Sequence, residues 1–220
     1  MRKKFTRNKV FLYFLVLSIK GNLFIFPSCF APLINNDTAQ INPKSTNQRI
    51  SGAFEVGGGK NLSGDGAGKF TSVGVVGSYQ IGYGISKNFE VGGQFGGGIG
   101  QIISESEERN IEGNITGLGY LKIGGSGGNF NFAIKLAPGV GIFYSPPDIL
   151  PLPTGYVDLM LGFGNPEKLT LYLGFENFIP RLGANLHFEK FSLFAQISGA
   201  GEISGAKDLF FLKLGAGYKF

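Results

Sequence analysis

The sequence predicts an all-β protein: a closed, antiparallel, up-and-down transmembrane β-barrel of about ten strands, with eight or twelve as alternatives. Three observations carry that expectation. Apolar residues recur at every second position in segment after segment, which is the period of a strand with one apolar face. The opposite face is built largely of Gly, Ser, Thr, Asn and Gln with isolated charges. The connections alternate between tight turns and longer stretches, as they do in barrels that cross a membrane. Composition agrees, because 37 of the 220 residues are Gly. Each Gly inside a helix costs about 1 kcal/mol against Ala, whereas strands use it at bends and close approaches.

The chain begins with a basic stretch, Arg2, Lys3, Lys4, Arg7 and Lys9, followed by the apolar run Val10-Phe-Leu-Tyr-Phe-Leu-Val-Leu-Ser-Ile19. That order is the signature of a secretory signal peptide, assigned here to residues 1–28. Lys20, Gly21 and Asn22 interrupt the run before it reaches the roughly 20 residues that a spanning helix needs. The net charge of +5 is concentrated here: residues 1–28 hold six Lys/Arg and no acid, leaving fourteen basic against fifteen acidic residues. A nucleic-acid partner is therefore not expected. Residues 29–48, rich in Asn, Thr, Gln and Pro without sustained periodicity, read as a flexible tether.

From residue 49 to 220 the alternation is continuous. Ile50, Phe54 and Val56 oppose Ser51 and Glu55; Val73, Val75, Tyr79, Ile81, Tyr83 and Ile85 oppose Ser72, Ser78 and Gln80; Phe89, Val91, Phe95 and Ile99 oppose Glu90 and Gln94. Ile115, Leu121 and Ile123 oppose Thr116, Tyr120 and Lys122, and Phe130, Phe132, Ile134 and Leu136 oppose Asn131 and Lys135. Then Val157, Leu159, Leu161 and Phe163 oppose Asp158, and Leu169, Leu171, Leu173 and Phe175 oppose Thr170, Tyr172 and Glu176. Leu182, Ala184, Leu186 and Phe188 oppose Asn185 and His187, and Phe191, Leu193, Ala195 and Ile197 oppose Ser192, Gln196 and Ser198. The last segment sets Phe210, Leu212, Leu214, Ala216, Tyr218 and Phe220 against Lys213, Gly215, Gly217 and Lys219.

Residues 86–88, 165–168 and 189–190 have tight-turn compositions. Residues 60–69, 101–112, 144–155 and 198–208 are the expected longer loops, with a shorter member of the same set at 177–181. An even strand count then puts both ends of the barrel on the side of the turns.

Alternation alone also suits a soluble barrel with its apolar face inward. The small, weakly charged polar face and the aromatic residues near segment ends favour a narrow lumen inside an interfacial girdle. The terminal strand closing on Tyr218 and Phe220 resembles the C-terminal insertion signal of Gram-negative outer-membrane β-barrel proteins. The hairpin Tyr83-Gly-Ile-Ser-Lys-Asn-Phe-Glu-Val-Gly92 is similar to hairpins of small members of that class. The resemblance spans about residues 49–220. It implies outer-membrane lipid as solvent, the barrel assembly machinery as a partner engaged through the last strand, and turns at the periplasmic rim. Phe26-Pro27-Ser28-Cys29 resembles a lipobox, although Phe26 and Pro27 depart from its usual residues. That resemblance implies lipidation at Cys29 and an N-terminal lipid anchor; the other reading is an incidental cysteine in a discarded signal.

The expected lumen holds Glu55, Glu90, Asp158 and Glu176 against Lys122, Lys135, Lys213 and Lys219. Their signs balance, and closure brings Lys213 or Lys219 towards Glu55. This lining reads either as a selectivity filter or as a network that plugs a narrow barrel. His187 is the sole histidine, which excludes a multi-histidine metal site, and no metal or other cofactor is expected. The acidic stretch 104–112 reads as a solvated tip, and 63–69 lacks the spacing of a phosphate loop. The proline-rich stretch with Pro146, Pro147, Ile149, Leu150 and Leu152 reads as a stiff loop unable to join a sheet, and as the candidate recognition element. The expected function is therefore that of a non-enzymatic outer-membrane barrel with surface loops for binding an unidentified extracellular ligand. Its lumen is narrow or plugged, with passage of small solutes. The alternatives are a lipid-modifying barrel enzyme using His187 and a periplasmic, lipid-anchored soluble β-protein.

Overall fold

The computed structural model describes residues 34–61, 68–105, 109–145, 148–164, 166–177, 179–203 and 206–220. The expected signal peptide, Cys29, Pro146 and Pro147 lie outside these residues. Ten strands follow in order: β1 (Thr46–Asn61), β2 (Gly68–Ser86), β3 (Phe89–Ser104), β4 (Arg109–Gly127), β5 (Phe130–Ser145), β6 (Asp148–Phe163), β7 (Leu169–Glu176), β8 (Ile179–Phe188), β9 (Phe191–Ile203) and β10 (Ala206–Lys219). Each pairs antiparallel with the next, and β10 returns to β1 to close the barrel. The seam runs in register from Arg49 opposite Lys219 to Glu55 opposite Lys213 and Val56 opposite Leu212. Closure leaves no continuous sheet edge, the condition for a sheet to stand in lipid.

Burial is inverted relative to a water-soluble barrel. Phe54 and Ile115 are 71% and 70% exposed on the outer face, while Lys122, Lys135, Asp158 and Thr170 are 0% exposed inside. Transferring apolar surface into an apolar medium is worth roughly 25 cal/mol per Å², so this outer face demands lipid. The periplasmic soluble reading fails on the same observation. At the turn end Phe191, Tyr218 and Phe220 stack edge to face, with centroids 5.1 and 5.2 Å apart, as part of an aromatic belt.

Two expectations about connections are corrected. The strands β1 to β6 are 16 to 19 residues long, well beyond the roughly 9–11 that span a bilayer. Most of what reads as long loop is ladder extending past the membrane, where both faces can be polar. The recognition loop is corrected likewise: Ile149, Leu150 and Leu152 lie within β6, paired with Tyr144, Phe143 and Gly141. Pro151 and Pro153 are tolerated because β7 pairs with β6 only from Tyr156 onward. Their missing N–H groups face the side of β6 that has no neighbour, where no ladder bond is lost.

A third correction concerns the tether. β1 begins at Thr46, and residues 34–41 are not a free linker but run inside the barrel. Ile34, Asn35, Asn36, Asp37, Ala39 and Ile41 are all buried. A segment with no ladder partners of its own carries no periodic signal in the sequence; the lumen wall supplies the partners.

Candidate functional site

The occupied lumen is the candidate site, and its geometry starts at the turn end. Lys44 donates its backbone N–H to the Gly84 carbonyl at 2.6 Å, and Gly84 donates back to Ser45 at 3.1 Å. From there the chain climbs inward towards residue 34. An extended segment without a ladder must have its backbone groups satisfied by side chains, and here the carbonyls of residues 34–38 and the N–H groups of Ala39 and Gln40 are. Glu167, folded in from the turn between β6 and β7, accepts the N–H groups of Ala39 and Gln40, both at 2.8 Å. Lys122 donates to the Thr38 carbonyl, Arg49 to that of Asn36 at 2.8 Å, and Gln94 to that of Ile34 at 2.9 Å. Asn185 donates to the carbonyls of Asn35 and Asp37, each at 3.0 Å. Space is made by glycines: a Cβ on Gly217 would overlap the Asn36 side-chain amide, and one on Gly84 the Asn42 carbonyl. Ile34 ends the described climb among Ala53, Phe70, Val76, Phe194, Leu209 and Phe211.

Two charge centres lie in the lumen. In the first, Asp37 Oδ2 accepts from Gln80 at 3.0 Å, Lys135 at 3.1 Å and Lys122 at 3.2 Å. Arg49 stands 3.9 Å from its other oxygen. Lys122 also pairs with Glu90 at 3.0 Å, and the Tyr120 hydroxyl donates to Glu90 at 2.8 Å. Lys135 Nζ sits 4.3 Å from the centre of the Tyr120 ring, a cation–π contact in a desolvated place.

In the second centre Arg181 forks onto Asp158 through Nε and Nη2 and reaches Glu176 at 3.3 Å. Lys213 bridges Glu55 at 3.2 Å and Glu176 at 3.3 Å. Gln196 donates to Glu176 at 2.9 Å. The Asn35 side chain donates to Asp158, so the inserted segment touches both centres. Tyr156 lies between them, its ring 4.1 Å from the Arg181 guanidinium and 5.6 Å from Lys135. Buried charges persist only when paired and hydrogen-bonded. Every charge in both centres has an opposite partner. Glu55 Oε1 alone among their carboxylate oxygens is buried without a hydrogen-bond partner among the described residues.

Thus Glu55, Glu90, Asp158, Glu176, Lys122, Lys135 and Lys213 face the lumen and fall into these centres, with Lys213 the partner of Glu55. Lys219 does not join them; it lies half-buried at the turn end, where its backbone N–H meets the Lys190 carbonyl at 2.7 Å. Tyr218 and Phe220 sit in the aromatic belt at the seam. Arg49, Arg181, Glu167 and Asp37 also belong to the lumen, beyond the charges expected from sequence. Arg49 shares the parity of Ser51 and Glu55, and Arg181 that of Asn185, so strand parity could have placed both. Glu167 lay in an expected turn. Asp37 carried no local signal.

His187 meets Thr170 Oγ1 at 2.9 Å, and the Thr170 hydroxyl donates to Glu167. With that proton committed, His187 Nε2 serves as the donor in its contact with Thr170. The acid therefore orients the hydroxyl and not the imidazole, which is the reverse of a nucleophile–base–acid relay.

No family model matches the sequence, and no curated protein matches it significantly. Solved structures do. An outer membrane channel from Pseudomonas putida F1 is similar with a TM-score of 0.51 at 12% identity, over 85% of this chain and 100% of that one. The outer membrane protein OprG from Pseudomonas aeruginosa aligns at 0.38 and 11%, over 84% and 99%. Neisserial surface protein A aligns at 0.38 and 8%, over 80% and 97%. At these identities the likeness is one of fold, and it rests on the first of the three. The fold is that of the Gram-negative outer-membrane β-barrels.

Proposed function

We propose that this chain is a non-enzymatic outer-membrane barrel whose lumen is shut by its own N-terminal segment and passes small solutes when that segment withdraws. One observation carries the reading. The occupant of the lumen, residues 34–41, is held by side-chain hydrogen bonds and ion pairs and not by a strand ladder. It can therefore leave without breaking the wall. The fit is also incomplete: Asn35 Oδ1, Asn36 Oδ1 and Asn185 Oδ1 are buried without a hydrogen-bond partner among the described residues. Each such atom costs about 1–3 kcal/mol, which weakens the seated state. With the turns at the periplasmic rim, the segment enters from the periplasm. The last strand, closing on Tyr218 and Phe220, is the surface offered to the barrel assembly machinery. Ligand contact outside falls to the tall tips of β1 to β6, since the connections between strands there are short.

The test is conductance of the refolded full-length protein in a planar bilayer. Wild type is expected to be closed with rare openings. A variant with residues 34–40 replaced by a Gly/Ser repeat of equal length is expected to conduct continuously. Equal, closed behaviour of a correctly refolded variant would overturn the reading.

A further inference from the structure

The two charge centres respond differently when the inserted segment leaves. Arg181 and Lys213 keep their acids, because Asp158, Glu176 and Glu55 all belong to the wall. The other centre loses its main acid, because Asp37 belongs to the segment. What remains is Arg49 on β1, Lys122 on β4 and Lys135 on β5, with Glu90 the only wall carboxylate paired to them among the described residues. Three cations stand against one remaining acid: Lys122 and Lys135 converge on one oxygen of the Asp37 carboxylate and Arg49 stands 3.9 Å from the other, so together they form a vacated carboxylate site. Gln80 completes it with an amide donor 3.0 Å from that oxygen, and the rings of Tyr120 and Tyr156 wall the Lys135 side.

We infer that this cluster is an anion-binding site for small organic carboxylates, and that Asp37 occupies it in place of the solute. The inference rests on the gating reading above and names its substrate class. A passing carboxylate takes over the bonds of Asp37 to Gln80, Lys122 and Lys135. Solute and segment then compete for one site, so the solute itself favours the open state by mass action. The unmatched positive charge in a narrow passage repels cations of similar size.

Two experiments on full-length protein test it. The Gly/Ser-replaced variant is placed in a bilayer under a potassium chloride gradient. Chloride is expected to permeate about tenfold better than potassium, a bias of ~1.4 kcal/mol. That preference should vanish, with conduction retained, when Lys122→Gln and Lys135→Gln are added. Separately, Asp37→Ala leaves the volume of a carboxylate beside the cations. Acetate should restore the lost resistance of this variant to thermal unfolding in detergent, and should leave wild type unchanged. A cation-preferring or unselective current, or acetate acting equally on both proteins, would overturn the inference. A replaced variant that never conducts instead overturns the gating reading; acetate rescue then decides alone whether the carboxylate site exists.

Discussion

Replacing Asp37 by Asn should release the inserted segment while leaving the barrel folded. The carboxylate stands 3.1 and 3.2 Å from two buried ammonium groups. At an effective dielectric constant of about 20, each such pair is worth roughly 5 kcal/mol before desolvation. Desolvation of the ions returns several kcal/mol per ion, and removing one partner of a buried pair leaves a net loss of about 3–5 kcal/mol. Asn keeps the shape and one acceptor, so the lower figure applies. A loss of ~3 kcal/mol is on the order of a hundredfold in the seating equilibrium.

The amides to watch are those of Ala39 and Gln40, two and three positions along from Asp37 but bonded to Glu167, which lies outside the altered charge centre. In hydrogen exchange followed by mass spectrometry, the peptide covering residues 34–45 should lose about a hundredfold in protection. Peptides from β8 and β9 should not change. Adding Lys135→Gln should recover part of the loss, since that lysine then no longer lacks a partner. Unchanged protection of the segment would refute the reasoning. So would a uniform loss across all strands, because Asp37 would then be stabilising the wall and not the plug.

Glycines at close approaches should separate sharply from open ones. A Cβ on Gly174 would overlap the Val157 carbonyl oxygen, whereas one on Gly119 meets nothing within 4 Å. Gly174→Ala should abolish the heat-modifiable folded band after refolding, and Gly119→Ala should leave it intact. Asn177 turns β7 into β8 with φ at 48°, and its side-chain oxygen accepts from Thr154 at 3.0 Å and from the Gly155 N–H at 2.9 Å. Asn177→Ala should cost about 2–3 kcal/mol, read from urea unfolding in lipid vesicles. Deleting Phe220 removes one end of the stack with Tyr218; the amount of heat-modifiable protein in the outer-membrane fraction should fall, and undiminished assembly would count against the insertion-signal reading.

Much of the barrel was legible in the chain because strand parity is a local property. Ile50, Phe54 and Val56 point one way and Ser51 and Glu55 the other whatever else the chain does, since the pleat alternates its side chains. The same parity marked seven of the eight charges expected in the lumen. The eighth, Lys219, has the right parity but sits where the wall ends, and parity does not encode height along the barrel. Loop boundaries differ from expectation for a related reason. Gly, Pro and Ser at 144–155 are turn formers locally, yet β5 offers a continuous partner there and β6 has no second neighbour for Pro151 and Pro153 to disrupt.

The identity of the lumen's occupant was a tertiary decision. Asp37 lies 85 and 98 positions from Lys122 and Lys135, and Asn35 lies 123 from Asp158. No window along the chain contains both halves of those contacts. Residues 34–41 have neither the period of a strand nor that of a helix, because their partners are single side chains spread over seven strands and one turn. Sequence determines which face of each strand meets lipid and which meets the lumen. Only the closed barrel decides what fills the lumen, because burying Asp37 becomes favourable only after Arg49, Lys122 and Lys135 have been brought around one carboxylate.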